Sequence, residues 1–175
     1  GSGSGTDAFF AALHAGDAGS VTGLDMTTQQ LEKARRLRDE AGMENVSFEH
    51  GYIEDIPFAG GTFDVVVSNG VINLSPDKPQ VFEEAHRVLA PGGRFVVSDI
   101  ISEVVMPESI KNDEDLWAAC IGGAEQIDRY TSAIEAVGFS VTDVRENTQY
   151  EFISERAANA CEKYGVKSIT LGATK

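Results

Sequence analysis

The chain has 175 residues, 42% of them hydrophobic, which is enough for one domain with a sizeable core. Its 28 acidic against 14 basic residues give a formal net charge of −14, which argues against a nucleic-acid backbone or an anionic membrane surface as partner. No apolar run reaches the ~20 residues that span a bilayer, and two cysteines, Cys120 and Cys161, do not make a disulfide framework, so a reducing cytoplasm is the expected compartment.

The chain opens on Gly1-Ser2-Gly3-Ser4-Gly5, a loop of the kind that turns a parallel strand into a helix beside a bound nucleotide. The strand expected before it is not in the chain, so the sheet is expected to lack its first strand. Residues 20–25 read as a strand ending in an acid, Asp25. Thr27 or Thr28 caps a helix that runs to about 41 and stops at Gly42. Residues 46–50 form the next strand. Residues 63–69 follow, so continuously apolar that they read as a parallel strand covered on both faces. An amphipathic helix over 78–89 is stopped by Pro91-Gly92-Gly93, and 94–101 is a further strand. Helical patterns cover 108–120, 128–137 (closed by Gly138) and 154–164. Late strands fall at 141–144 and 168–171. Alternation of this kind predicts an α/β, Rossmann-like fold with a mostly parallel sheet and a ligand at its C-terminal edge. It persists to the last residues with no linker or repeat, so 1–175 is expected to be one domain.

The loop admits two ligands. Gly3-x-Gly5-x-x-Ala8 satisfies a dinucleotide fingerprint, with Asp25 twenty residues past Gly5. Gly1-x-Gly3-x-Gly5 equally satisfies the loop of an S-adenosylmethionine site. In either case a carboxylate at Asp25 suits a ribose, because it accepts two hydrogen bonds from a vicinal diol. The loop alone does not choose between them, and it is also compatible with a plain tight turn.

The later motifs are more specific. Gly51-Tyr52-Ile53-Glu54-Asp55-Ile56-Pro57-Phe58, then Phe63-Asp64-Val65-Val66-Val67-Ser68-Asn69, then Leu89-Ala90-Pro91-Gly92-Gly93-Arg94 resemble class I S-adenosylmethionine-dependent methyltransferases along essentially the whole chain. The resemblance implies that S-adenosyl-L-methionine is held by Gly1, Gly3, Gly5, Asp25, Met26, Ile53, Glu54 and Asn69. It places Tyr52-Ile53-Glu54 at the adenine, and Ser68, Asn69 and Gly70 beside the methionine part. A nicotinamide-dependent oxidoreductase would need hydride-transfer residues that are not found.

Within that class, 68–78 (Ser68-Asn69-Gly70-Val71-Ile72-Asn73-Leu74-Ser75-Pro76-Asp77-Lys78) is similar to arsenite methyltransferases, as are Leu116-Trp117-Ala118-Ala119-Cys120-Ile121-Gly122-Gly123-Ala124 and Val166-Lys167-Ser168-Ile169-Thr170. The resemblance implies a small-molecule acceptor, As(III), held by thiolates, which are the soft ligands that trivalent arsenic prefers. Cys120 matches one of the family's positions. Gly70 stands where the family has cysteine, and a third thiolate would precede the chain. Cys120 is therefore the candidate catalytic residue and arsenic ligand, while Cys161 matches no family position. Gly70 also leaves open a small organic acceptor. His14, His50 and His86 show no ligand spacing, His86 is expected to be structural, and Trp117 is expected in the core or lining the acceptor pocket. A non-enzymatic reading also stands: cofactor binding without turnover, or self-association through exposed sheet edges.

Overall fold

The computed structural model describes residues 1–175 apart from 108, 109, 111, 112, 114, 115, 118, 119, 153 and 154. It divides into two compact units, Gly1–Pro57 and Phe58–Lys175.

In the first unit, the glycine loop leads into α1 (Thr6–Ala15), followed by β1 (Val21–Asp25), α2 (Thr28–Ala41) and β2 (Val46–His50). The two strands pair in parallel, with Asp25 opposite His50. Helix α2 stops where the sequence says it should: Gly42 takes φ +64 and its N–H bonds to the carbonyls of Arg38 and Asp39. The core follows from periodicity. Ala8 and Ala12 (i, i+4) of α1, Leu31 and Ala34 (i, i+3) of α2, and Val46 and Phe48 (i, i+2) of β2 form one buried cluster. Burying a Leu or Phe side chain of this kind is worth ~1.5–3 kcal/mol.

The second unit contains β3 (Phe63–Asn69), a 3-10 turn over Ile72–Leu74, α3 (Lys78–Val88), β4 (Leu89–Ser102), β5 (Glu125–Gln126), α4 (Ile127–Ala136), β6 (Ser140–Glu146), α5 (Glu155–Tyr164) and β7 (Lys167–Thr174). Its sheet runs β3-β4-β7-β6, with β5 on β4. Helix α3 begins where the Asp77 side chain accepts the N–H of Gln80 at 3.2 Å. At its far end Lys175 Nζ donates to the carbonyls of His86 and Leu89 at 2.7 and 2.8 Å, satisfying carbonyls that a helix end leaves open. Glu84, itself buried, takes Arg87 in a bidentate pair at 2.6 and 2.7 Å. Phe82 of α3 meets Tyr130 of α4 edge-on at 5.3 Å, and Phe95 of β4 stacks on Phe139 at 5.2 Å.

Four expectations need correction. The α/β class holds, but the sheet is mixed rather than mostly parallel: β7 runs antiparallel to both β4 and β6. The chain enters β7 from α5 at the end where β4 finishes, with Ile101 opposite Lys167, so it can only return alongside β4 in the opposite direction. Strand β3 is not covered on both faces. It pairs with β4 alone among the described residues, as an edge strand, and Val65 and Val67 are 39% and 59% exposed. Pro91-Gly92-Gly93 does not separate helix from strand but lies inside β4, as an irregularity where the register with β3 jumps from Phe63–Leu89 to Val65–Arg94. Its backbone is held instead by the chain end, Gly92 N–H to Lys175 O and Lys175 N–H to Gly93 O. The helix expected over 108–120 falls largely outside the described residues, but Cys120 itself is in a turn, with φ +59. The 3-10 turn and β5 carry too few residues for periodicity to reveal.

Candidate functional site: a glycine loop with its carboxylate, and a thiol-bearing cavity

The first unit gathers the loop and its acid. Asp25 is buried, and both its oxygens are engaged: Oδ2 accepts the N–H of Gly3 at 2.7 Å and Oδ1 accepts that of Thr27 at 2.9 Å. Burial pushes the carboxyl up, but these two N–H groups outweigh it and hold Asp25 below the ordinary carboxylate range. An ionised carboxylate offers about four lone-pair sites. Two are spent on the loop, and the remaining capacity suits a diol. Gly5 explains the second glycine. It caps α1 at φ +96, and a Cβ there would lie 2.7 Å from the Phe48 ring and 2.9 Å from that of Phe9. Ser2 Oγ is buried in the loop without a hydrogen-bond partner. Such an orphan is costly unless something supplies a partner, and an adenosine or methionine polar group could do so.

The other candidates of this unit lie at the same end. Gly1 is within electrostatic reach of both Asp25 and Glu54. Met26 follows Asp25 and is 63% exposed, and its carbonyl meets His50 Nε2 at 3.0 Å. Ile53 and Glu54 are half-buried in a turn closed by Asp55 N–H to Tyr52 O at 3.2 Å. Tyr52 is 55% exposed beside the His50 ring. A half-buried apolar residue next to an exposed aromatic is a reasonable surface for a flat base.

The second unit holds Asn69 and Cys120. They line a cavity of about 470 Å³ together with Gly70, Ser98, Asp99, Asn147, Ser168 and Thr170, among others. The sheet builds its wall. Asn69 of β3 sits opposite Ser98 of β4, and Ser98 opposite Thr170 of β7, so three polar side chains stand in one row across three strands. Ser168 lies two residues from Thr170 and therefore on the same face. Ser98 Oγ and Thr170 Oγ1 bond at 2.8 Å. Thr170 Oγ1 donates to Asn147 Oδ1 at 3.1 Å, and Asn147 Nδ2 donates to Ser168 Oγ at 2.9 Å. Cys120 Sγ donates to the carbonyl of Gly70 at 3.3 Å. Burial, and then the nearby Asp99 carboxylate, push the Cys120 thiol above its ordinary range, so it is protonated near neutrality.

Asp99 is the residue that sequence reading missed. It is 2% exposed and accepts the N–H groups of Asn73 at 3.2 Å and Ile100 at 2.9 Å. Burial raises its carboxyl to about 6, against the pull of those two N–H groups, of Lys78 and of the Ile72 N–H. Cys120 and Tyr130 are the titratable groups that feel its charge. The available signal was the polar pair Ser98-Asp99 interrupting an apolar strand. A raised carboxyl binds its proton more tightly in the folded state. Its contribution to stability is thus fully present below the ordinary carboxylate pKa and is lost as pH rises through about 6. Between pH 4 and 7 the stability of the wild type relative to Asp99→Asn should fall by roughly 3 kcal/mol, at ~1.4 kcal/mol per pH unit. Denaturant unfolding at the two pH values checks it, and a pH-independent difference would refute it.

The remaining candidates are structural. Cys161 packs against a core cluster, His86 meets the Phe139 ring at 5.0 Å, and Trp117 is 37% exposed and not part of the cavity lining. Among the described residues no group of three His, Cys, Asp or Glu side chains could hold a metal ion, and no helix is long and apolar enough to cross a membrane.

Residues 1–138 match the family model described as "Methyltransferase domain". The chain belongs to the methyltransferase domain family. This methyltransferase domain is 38% identical over 156 residues to an arsenite methyltransferase of Halobacterium salinarum, covering 89% of the chain and 40% of that protein. It is 48% identical over 131 residues to one of Aquipseudomonas alcaligenes, covering 71% and 38%. The crystal structure of an arsenic (III) S-adenosylmethionine methyltransferase from Chlamydomonas reinhardtii superposes with a TM-score of 0.81 at 34% identity, over 99% of this chain and 60% of that one. The methyltransferase domain thus spans about two fifths of the length of these curated relatives.

Proposed function

We propose that this chain binds S-adenosyl-L-methionine and transfers its methyl group to trivalent arsenic, as part of an arsenite methyltransferase-like enzyme. The observation that carries the cofactor half is the Gly3–Asp25–Thr27 latch, which holds a glycine loop open-handed around a carboxylate with acceptor capacity to spare. Gly1, Gly3, Gly5 and Asp25 take the ribose and methionine end, Met26, Ile53 and Glu54 the adenosine side, and Asn69 the methionine end. The cofactor supplies a methyl group on a sulfonium, already a good leaving group, so the protein's work is to orient rather than to activate. Cys120 is the soft ligand for the acceptor.

The two units serve as one methyltransferase domain in this reading, and the cytoplasm suits its free thiols. Calorimetric titration with S-adenosylhomocysteine tests it. Saturable one-site binding is expected, and its absence would refute the cofactor assignment.

A small organic acceptor is a second reading. Gly70 favours it, because glycine leaves open space where a thiol would stand. The exposed β3 edge also supports self-association, since an unpaired strand with outward Val65 and Val67 is a template for another. Sedimentation should show a concentration-dependent dimer that Val67→Lys abolishes. A strictly monomeric wild type would end that idea.

A further inference from the structure

Resting on the arsenic reading above, we infer that the arsenic accepted here keeps its oxygen ligands: one sulfur, Cys120 Sγ, binds it, and the hydroxyl and amide wall of Ser98, Thr170, Ser168 and Asn147 holds two remaining hydroxyls. The cavity carries the argument. Its lining has one sulfur, and the neighbouring position from which a second could reach is Gly70, whose carbonyl Cys120 already touches. Cys161 is not in the lining. What surrounds the thiol is oxygen and nitrogen. Ser98, Thr170, Asn147 and Ser168 form a continuous hydrogen-bonded chain along one face of β4 and β7, with bonds of 2.8, 3.1 and 2.9 Å. A hydroxyl has one donor and two acceptor sites, so the wall retains capacity for further hydrogen bonds. The buried Asp99 carboxylate in the same lining adds an acceptor. Such a wall matches As–OH groups, which both donate and accept. It matches bulky sulfur ligands poorly, since thiolate sulfur is a weak hydrogen-bond partner.

The binding step balances without a redox partner. As(OH)3 and the Cys120 thiol give Cys120 Sγ–As(OH)2 and water. One As–S bond forms, one As–O bond breaks, and the thiol proton leaves with the departing hydroxide. Arsenic remains trivalent with its lone pair free for the methyl group.

Arsenic K-edge X-ray absorption tests this on the Cys161→Ser protein loaded with sodium arsenite and no added thiol. One As–S and two As–O neighbours are expected, and Cys120→Ser should lose the sulfur. Ser98→Ala and Thr170→Val should each weaken arsenite binding about five-fold, the effect of one ordinary hydrogen bond, with unchanged 1:1 stoichiometry and melting temperature. Two or more sulfurs per arsenic would overturn the inference, as would no retained arsenite or affinity indifferent to both wall substitutions. S-adenosylhomocysteine titration of the same samples separates the failures. If the analogue binds and arsenite does not, the oxygen-wall inference falls alone. If arsenite binds as expected and the analogue does not, the cofactor reading falls and the oxygen wall stands.

Discussion

Asp25→Ala should weaken S-adenosylhomocysteine binding by roughly 10²–10³-fold. Two losses add. The first is the ligand's own hydrogen bonds to the carboxylate, each charge-assisted and worth ~1.5–3 kcal/mol. The second is the latch: without Oδ2 and Oδ1, the N–H groups of Gly3 and Thr27 lose their acceptor, and the loop loses the bond that fixes its conformation. Asp25→Asn is the sharper test. Its amide retains one oxygen but presents an NH2 group to whichever N–H the second oxygen served, so one bond becomes a donor–donor conflict. We expect a loss of about 10–10²-fold with the fold intact by circular dichroism. The pH profile carries the same signature. Because Asp25 is held below the ordinary carboxylate range, its contribution is present above about pH 4 and is lost as pH falls through its lowered pKa. Calorimetry on the two variants measures all of this. Wild-type affinity in Asp25→Asn would mean that the carboxylate only shapes the loop.

Gly70→Cys is expected to raise arsenite affinity by roughly 10²-fold, the usual gain when a second ligand acts on an already tethered one. Position 70 follows β3, lines the cavity, and a Cβ built there meets nothing within 4 Å, so the side chain has room. Its carbonyl already lies 3.3 Å from Cys120 Sγ, which places the two residues side by side. The opposing cost is conformational. Gly70 sits at φ +65, where an L side chain costs about 1 kcal/mol, so the variant should melt a few degrees lower while binding arsenic more tightly. X-ray absorption should show two sulfurs and one oxygen on each arsenic. Unchanged affinity would mean that the cavity is not the acceptor site, and the small organic acceptor would become the better reading.

Local signals in the sequence reached far into both units. The bounds of α2, β2 and β3 follow from capping residues and apolar periodicity, and the structure has them within a residue of expectation. Asp25 was legible as a site residue because its spacing from the glycine loop is fixed by the helix between them, and the structure closes that spacing into a 2.7 Å bond. The Cys120 and Gly70 positions were legible only through a resemblance, since a single thiol has no spacing to read.

What the sequence by itself determined, then, is every feature governed by contacts a few residues apart: where helices start and stop, which face of each is apolar, and that a strand–helix alternation makes an α/β protein. Tertiary structure alone decided the rest. The antiparallel entry of β7 depends on where α5 delivers the chain, and the exposure of Val65 and Val67 depends on which strand is an edge. The wall of Asn69, Ser98 and Thr170 exists only once three strands separated by tens of residues come into register. The raised carboxyl of Asp99 likewise depends on burial that no local pattern encodes, because desolvation is set by everything packed around a group rather than by its neighbours in the chain.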